Sequence, residues 1–300
     1  MARPADSAIT AEPEAAPSTS PWRDRRLLWR RFQRNKGAMF GLSIFLLMVV
    51  TAVFAPWLAP FDPLEQDYIN AMQTPSAKHW LGTDSFGRDI LSRIIYGARI
   101  ALIVGVLAVF LSMIVGVTLG LISGYYGGVV DTIIMRIMDG LFAFPILILA
   151  IALMAILGLG VRNVIIAVAV GYIAPFARVT RGDVLAVKEE TYIEAARLTG
   201  VSHLAIIFRH IFPNVLAPVI VQGALRVSAA IITEAGLSFL GLGPPPPTPV
   251  WGSMISEGRE FLVISPHIST FPGLALMITV IGLNLFGDGL RDTLDPRLKK

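Results

Sequence analysis

Apolar residues along this chain come in long runs, not in the short alternating blocks of a soluble fold. The first runs from Ala38 to Leu58, with no charged residue between Gly37 and Pro60. Others follow at about 98–123, 133–157, 161–176, 215–239 and 268–286. A bilayer core about 30 Å thick takes about 20 apolar residues per helix, so the pattern predicts six membrane spans. The first run is longer than the apolar region of a signal peptide and ends in Pro56, Trp57 and Pro60 rather than a small-residue cleavage site. It reads as a retained anchor. Gly116 and Gly120, four residues apart, have the small-xxx-small spacing of a close helix contact.

Composition agrees: 54% of the 300 residues are hydrophobic and 15% charged, with a mean hydropathy of +0.68. An average soluble chain is about a quarter charged. The absence of cysteine excludes disulfides and cysteine-based metal or redox sites. The net charge of +4 does not indicate nucleic acid, because the bases cluster beside the spans. They lie at 22–36, 177–213 and 291–300, which with the uncharged 124–130 turn make up the segments expected inside. The intervening loops carry only Lys78, Arg88 and Arg93, then Arg162, then Arg259. By the positive-inside rule both termini are cytoplasmic. The chain divides into a tail and basic interfacial segment (1–36), a first span with an outer loop (37–97), a membrane core (98–290) and a short tail (291–300). Residues 1–21 are expected to be disordered.

The segment 177–213 is the long polar interruption. Good helix formers occupy Lys188 to Leu198, Gly200 stands where a left-handed residue would end a helix, and Ser202 is placed to cap the next one, which is expected to stop before Pro213. Physically this helix–glycine–helix is either a docking element or an amphipathic connector.

Its residues match a known pattern. Glu194-Ala195-Ala196, three residues, Gly200, nine residues, then His210-Ile211-Phe212-Pro213 resembles the EAA loop of binding-protein-dependent ABC importer permeases. His210 and Phe212 replace the family's usual Ile and Leu. Leu81 to Asp89 resembles an outer-loop G-T-D-x-x-G-R-D element of the C-type permease in the dipeptide, oligopeptide and nickel branch, as do Glu234 to Gly243 and Pro249 to Gly252. The resemblance implies an all-α membrane fold and a non-catalytic subunit moving peptides across the bacterial inner membrane. It also implies a B-type permease partner, one or two cytoplasmic ATPase subunits and an external solute-binding protein. Glu194, Ala195, Ala196, Gly200 and Pro213 would then couple to the ATPase, and Gly82, Asp84, Gly87, Arg88 and Asp89 would meet the binding protein.

ATP and magnesium would sit on the partner subunits. A P-loop needs Gly-Lys-[Ser/Thr], and none of Lys36, Lys78, Lys188, Lys299 and Lys300 follows a glycine. No clustered His or acidic set suggests a metal, and no catalytic constellation stands out. Charges in spans are costly and therefore informative. Arg136 and Asp139, three apart, can pair on one face, either as a gate or substrate contact or as a structural ion pair near the interface. Arg226 and Glu234 either face a pathway or serve structure, Glu234 by bonding the following turn. Asp84 is expected to cap a short helix from Ser85. An ion-driven secondary transporter is the rival class, for which buried mid-span charges and internal repeats would speak.

Overall fold

A computed structural model describes residues 29–294 of the chain. The expected disordered segment, Arg23, Arg25 and Arg26, and the last six residues lie outside that range. The described part is helical, with one isolated bridge between Thr83 and Asp89. Its principal helices are α1 (Lys36–Val53), α2 (Ile90–Tyr126), α3 (Gly128–Phe142), α4 (Ile146–Leu157) and α5 (Val161–Val187). Then come α6 (Thr191–Leu198), α7 (His203–Phe239), α8 (Trp251–Gly258) and α9 (His267–Leu294). Five of these are long and apolar enough to span a membrane, and the pair α3–α4, bent by 90°, is either a broken sixth span or a re-entrant hairpin.

The spans differ from the expected runs in instructive ways. Helix α2 begins at Ile90 because the Asp89 carboxylate accepts the Ser92 amide, capping it eight residues before the apolar run. The run expected as one span over 133–157 is two helices meeting at 90°. Pro145 disfavours helix at Phe144 and restarts it at Ile146. Helix α5 does not stop at 176 but continues to Val187. Helix α7 does not stop before Pro213. Pro213 offers no amide hydrogen to the Arg209 carbonyl, and the backbone widens into a π turn over Ile206–Ile211, Phe212 N–H reaching the Ile207 carbonyl.

With 37 residues, α2 is about 55 Å long, well beyond a bilayer core of about 30 Å. It crosses the whole bundle and packs most closely on α5. There Gly116, Gly120 and Gly124 face the second helix without side chains. A Cβ on Gly116 would stand 2.6 Å from the Ile173 carbonyl oxygen, and one on Gly120 2.6 Å from that of Ala177. Three buried clusters sit along this pair. The central one joins Val104 and Ala108 to Met154, Val168, Tyr172 and Leu237. One end joins Leu121 and Tyr125 to Val184, Ile193, Ile207 and Ile211. The other joins Ile90 and Ala98 to Ile231, Trp251, Met254 and Ile268. Helix α1 packs on α9 by one face only. Phe40, Leu46, Leu47 and Val50 stay exposed, as expected of a lipid-facing surface.

Gly120→Val should therefore force α2 and α5 apart. Overpacking of this kind costs about 1–3 kcal/mol. A lowered thermal unfolding midpoint of the purified protein in detergent is the expected result, with a surface-facing control such as Leu107→Val unchanged.

Candidate functional site

At one end of the bundle, α6 forms a short platform between α5 and α7. Its sequence fixes both sides. Ile193 is fully buried against Val184, Ile206 and Val215 and anchors the helix from below. The helix ends as the sequence suggested: Gly200 takes φ +79°, its amide donates to the Arg197 carbonyl and that of Val201 to Ala196. This is a Schellman closure, for which glycine alone has no steric penalty. Ser202 then caps α7 by accepting the Ala205 amide. Further ties hold the platform. Tyr125 Oη lies 2.7 Å from His203 Nδ1, Asn214 Nδ2 donates to Tyr192 Oη at 3.1 Å, and the Arg197 guanidinium stands over the Tyr125 ring. Glu194, Ala195, Arg197 and Pro213 remain exposed and Ala196 half-buried. Leu198 is 83% exposed.

Beneath the platform, Asp131 receives two bonds from Arg181, both 2.6 Å, and one from Ser123. Asp139 pairs with Arg178 at 2.6 Å and not with Arg136, as its spacing had suggested. The reason is tertiary: α3 lies across α5, so its acids meet the α5 arginines while Arg136 is exposed. The arrangement locks the α3–α4 bend to the α6 end.

At the opposite end, residues 79–93 form a buried clamp. Asp84 does not cap a helix. Its Oδ1 accepts the amides of Phe86 and Arg88, and its Oδ2 accepts Arg88 Nε at 2.6 Å. Arg88 Nη2 reaches Glu257 on α8 at 2.8 Å. Arg93, only 1% exposed, lies 3.5 Å from Asp84 and 3.8 Å from Glu257. Asp89 holds Ser92 on one oxygen and His79 on the other, at 2.9 Å. His79 is thus not isolated, although it lies ten residues upstream. Gly82 and Gly87 have φ +80° and +76°, and Gly87 abuts the Asp67 backbone. Gly82, Asp84, Gly87, Arg88 and Asp89 are all buried; Phe86 is the member of the motif left exposed. Trp251 Nε1 donates to the Ile94 carbonyl, pinning α8 on α2.

Two charges remain in α7. Glu234 is 1% exposed and accepts the Ser238 hydroxyl one turn on, at 2.6 Å, the local bonding considered from the sequence. Arg226 faces an open groove of about 600 Å³ between α5, α7 and α9. Sequence reasoning counted Arg93 only as an outer-loop charge and missed Glu257 altogether. The signal present was an arginine four residues beyond Asp89 on the first turn of a span. Among the described residues no group of three metal-ligating side chains comes together.

The clamp yields a sharp expectation. Asp84→Ala would leave Arg88 and Arg93 buried with only the half-exposed Glu257. Breaking such a pair costs about 3–5 kcal/mol. The variant should accumulate poorly in the membrane and unfold at a clearly lower temperature, whereas Phe86→Ala should not.

The comparisons fit this geometry. Residues 116–300 match the family described as binding-protein-dependent transport system inner membrane component, and residues 20–75 match the N-terminal TM domain of oligopeptide transport permease C. The chain is 49% identical over 296 residues to the glutathione transport system permease protein GsiD of Escherichia coli O6:K15:H31, covering 98% of this chain and 97% of that one. It is 50% identical over 281 residues to the GsiD of Pectobacterium atrosepticum, covering 93% and 92%. Among solved structures, the MetNI methionine ABC transporter in inward-facing conformations aligns with a TM-score of 0.53. Identity is 18%, with 67% of this chain and 96% of that chain covered, a likeness of fold. The chain is therefore a multi-pass, non-catalytic inner-membrane permease belonging to the binding-protein-dependent ABC transport family, C-type in the dipeptide and oligopeptide branch.

Proposed function

We propose that this chain forms one half of the translocation pore of an ATP-driven importer for small peptides, glutathione among them, and that α6 is the surface on which a cytoplasmic ATPase docks. The supporting observation is the platform itself. Charged Glu194 and Arg197 and the exposed Leu198 stand on a helix that is fastened below by Ile193 and closed by Gly200. That helix runs within a few residues into α7.

On this reading the α6 end is cytoplasmic, both termini lie on that side, and the α8 end faces the solute-binding protein. A B-type permease completes the pore. One or two ATPase subunits carry ATP and magnesium. Closure of the ATPase dimer moves α6 as a rigid body. The stiff connection through the π turn passes that movement to α7, and the pore alternates between its two openings. The peptide cargo is supported by the names of the relatives, which are glutathione permeases at about half identity over nearly the whole length.

The test is reconstitution with the partner permease, the ATPases and a loaded binding protein. ATP-dependent uptake of glutathione is expected. Glu194→Lys should lower uptake at least about tenfold, the scale of effect for reversing a charge at an interface, while membrane insertion stays normal. Undiminished uptake in that variant would exclude docking through Glu194. Purification of this chain without any ATPase, under every nucleotide condition, would exclude the importer assembly.

A further inference from the structure

The groove between α5, α7 and α9 has a composition that lipid does not explain. It is lined along α7 by Asn214, Gln222, Leu225, Arg226 and Ala229, with Arg291 of α9 at its mouth. Asn214, Pro218, Gln222, Arg226 and Ala229 recur every three or four residues, so they form one stripe on one face. Arg226 lies about 20 Å along the helix from its Phe239 end and about 35 Å from its His203 end. That places it inside the membrane-spanning part. Its guanidinium stands 5.6 Å from the centre of the Tyr172 ring. None of the ion pairs among the described residues includes it. Glu234 is no counter-ion, because it is two turns away, enclosed, and bonded to Ser238.

An unpaired guanidinium within a span belongs in a water-filled cavity or opposite an anion, not in hydrocarbon. Among the described residues, no acidic side chain lines the groove beside its two cations. Tyr172 is 2% exposed and hydrogen-bonded to Thr233, so it is a fixed surface that holds the guanidinium in place. Arginine presents planar paired donors that suit a carboxylate. The cavity volume of about 600 Å³ is ample for a di- or tripeptide.

We infer that Arg226 is the group that receives a carboxylate of the peptide cargo as it passes through the pore, and that the groove is an aqueous, anion-attracting part of the pathway. This rests on the importer reading and adds to it a chemical class: cargo bearing a carboxylate, favoured when its net charge is negative, as in glutathione. The site is a transit point. It needs enough attraction to draw the anion in, but not so much as to hold it.

The absence of cysteine in the chain makes the groove directly testable. Ala229→Cys is introduced into the assembled complex in lipid vesicles. Its rates of reaction with an anionic sulfonatoethyl methanethiosulfonate and a cationic trimethylammonium-ethyl methanethiosulfonate are then compared. The anionic reagent should react about tenfold faster relative to free thiol, the enhancement a focused field of one sign gives. Arg226→Gln should abolish that preference and Arg226→Lys should retain it, and added S-methylglutathione, whose blocked sulfur cannot consume the reagents, should slow the labelling. ATP-driven glutathione uptake, measured in vesicles of the same complex without the cysteine, should fall about tenfold in Arg226→Gln and much less in Arg226→Lys. A cysteine unreactive toward both reagents would show a sealed groove and overturn the inference. So would a charge preference that survives Arg226→Gln. Vesicles that keep the preference but show no ATP-driven uptake would overturn the importer reading instead.

Discussion

The architecture depends on one close approach, that of α2 to α5. In lipid, apolar side chains gain little by leaving one apolar surface for another, so helices associate through packing at short range. Gly116, Gly120 and Gly124 allow it by placing bare backbone of α2 against Ile173, Ala177 and Val184 of α5. The contact is polar as well as tight at one end: Lys188 Nζ donates to the Gly124 carbonyl, and Arg181, one turn before Val184, fixes Asp131 of α3. Because α2 is far longer than the membrane is thick, the same helix begins in the Asp84–Arg93 clamp and ends under Ile193. One continuous helix therefore joins the α6 platform to the clamp.

The polar networks at the two ends solve different problems. At the clamp, two arginines are buried with Asp84 and the partly exposed Glu257. Such burial is not a source of stability in itself, since desolvation offsets much of the attraction. What it supplies here is a geometry. Arg88 and Glu257 connect the 79–93 segment to α8, and the amide bonds to Asp84 leave only one conformation for the loop, with Gly82 and Gly87 in left-handed backbone. At the α6 end the anchors are apolar and the charges are left outside. The contrast separates the two halves of the sequence motifs: the G-T-D-x-x-G-R-D element is turned inward and shapes the protein, whereas the Glu-Ala-Ala element is turned outward.

The membrane class, the positions of the spans and the Gly200 closure were legible in the sequence because each is a local consequence of composition or backbone preference. Long apolar runs mean burial in lipid, and a glycine after a helix means a left-handed turn. What was not legible involved proline in context and tertiary choice of partner. Pro145 breaks a span at 90° while Pro175, Pro218 and Pro272 lie within continuous helices. Proline removes the same amide in every case, and only the neighbouring packing decides whether the helix bends, widens or continues. Likewise Asp139 had a suitable arginine three residues earlier on its own helix, yet it took Arg178 from α5. A partner on a packed neighbour is held in place by the fold, while one on the same surface must be ordered at an entropic cost.

The same distinction separates the two charges of α7, which looked equivalent as Arg226 and Glu234, eight residues apart. Ser238 lies one turn beyond Glu234 and satisfies it locally. Nothing local is available to Arg226: Gln222 and Ala229 flank it, and the ring of Tyr172 supports its face without neutralising it. A buried charge with a partner reports on structure. A half-buried charge with a ready-made ring beneath it, an open groove before it and no counter-ion among the described residues points, on the reading proposed above, to something that comes and goes. Placed on the helix that continues directly from the α6 platform, Arg226 would change its exposure to either side of the membrane whenever that platform moved. A carboxylate held there briefly would therefore be released on the side to which the groove had turned.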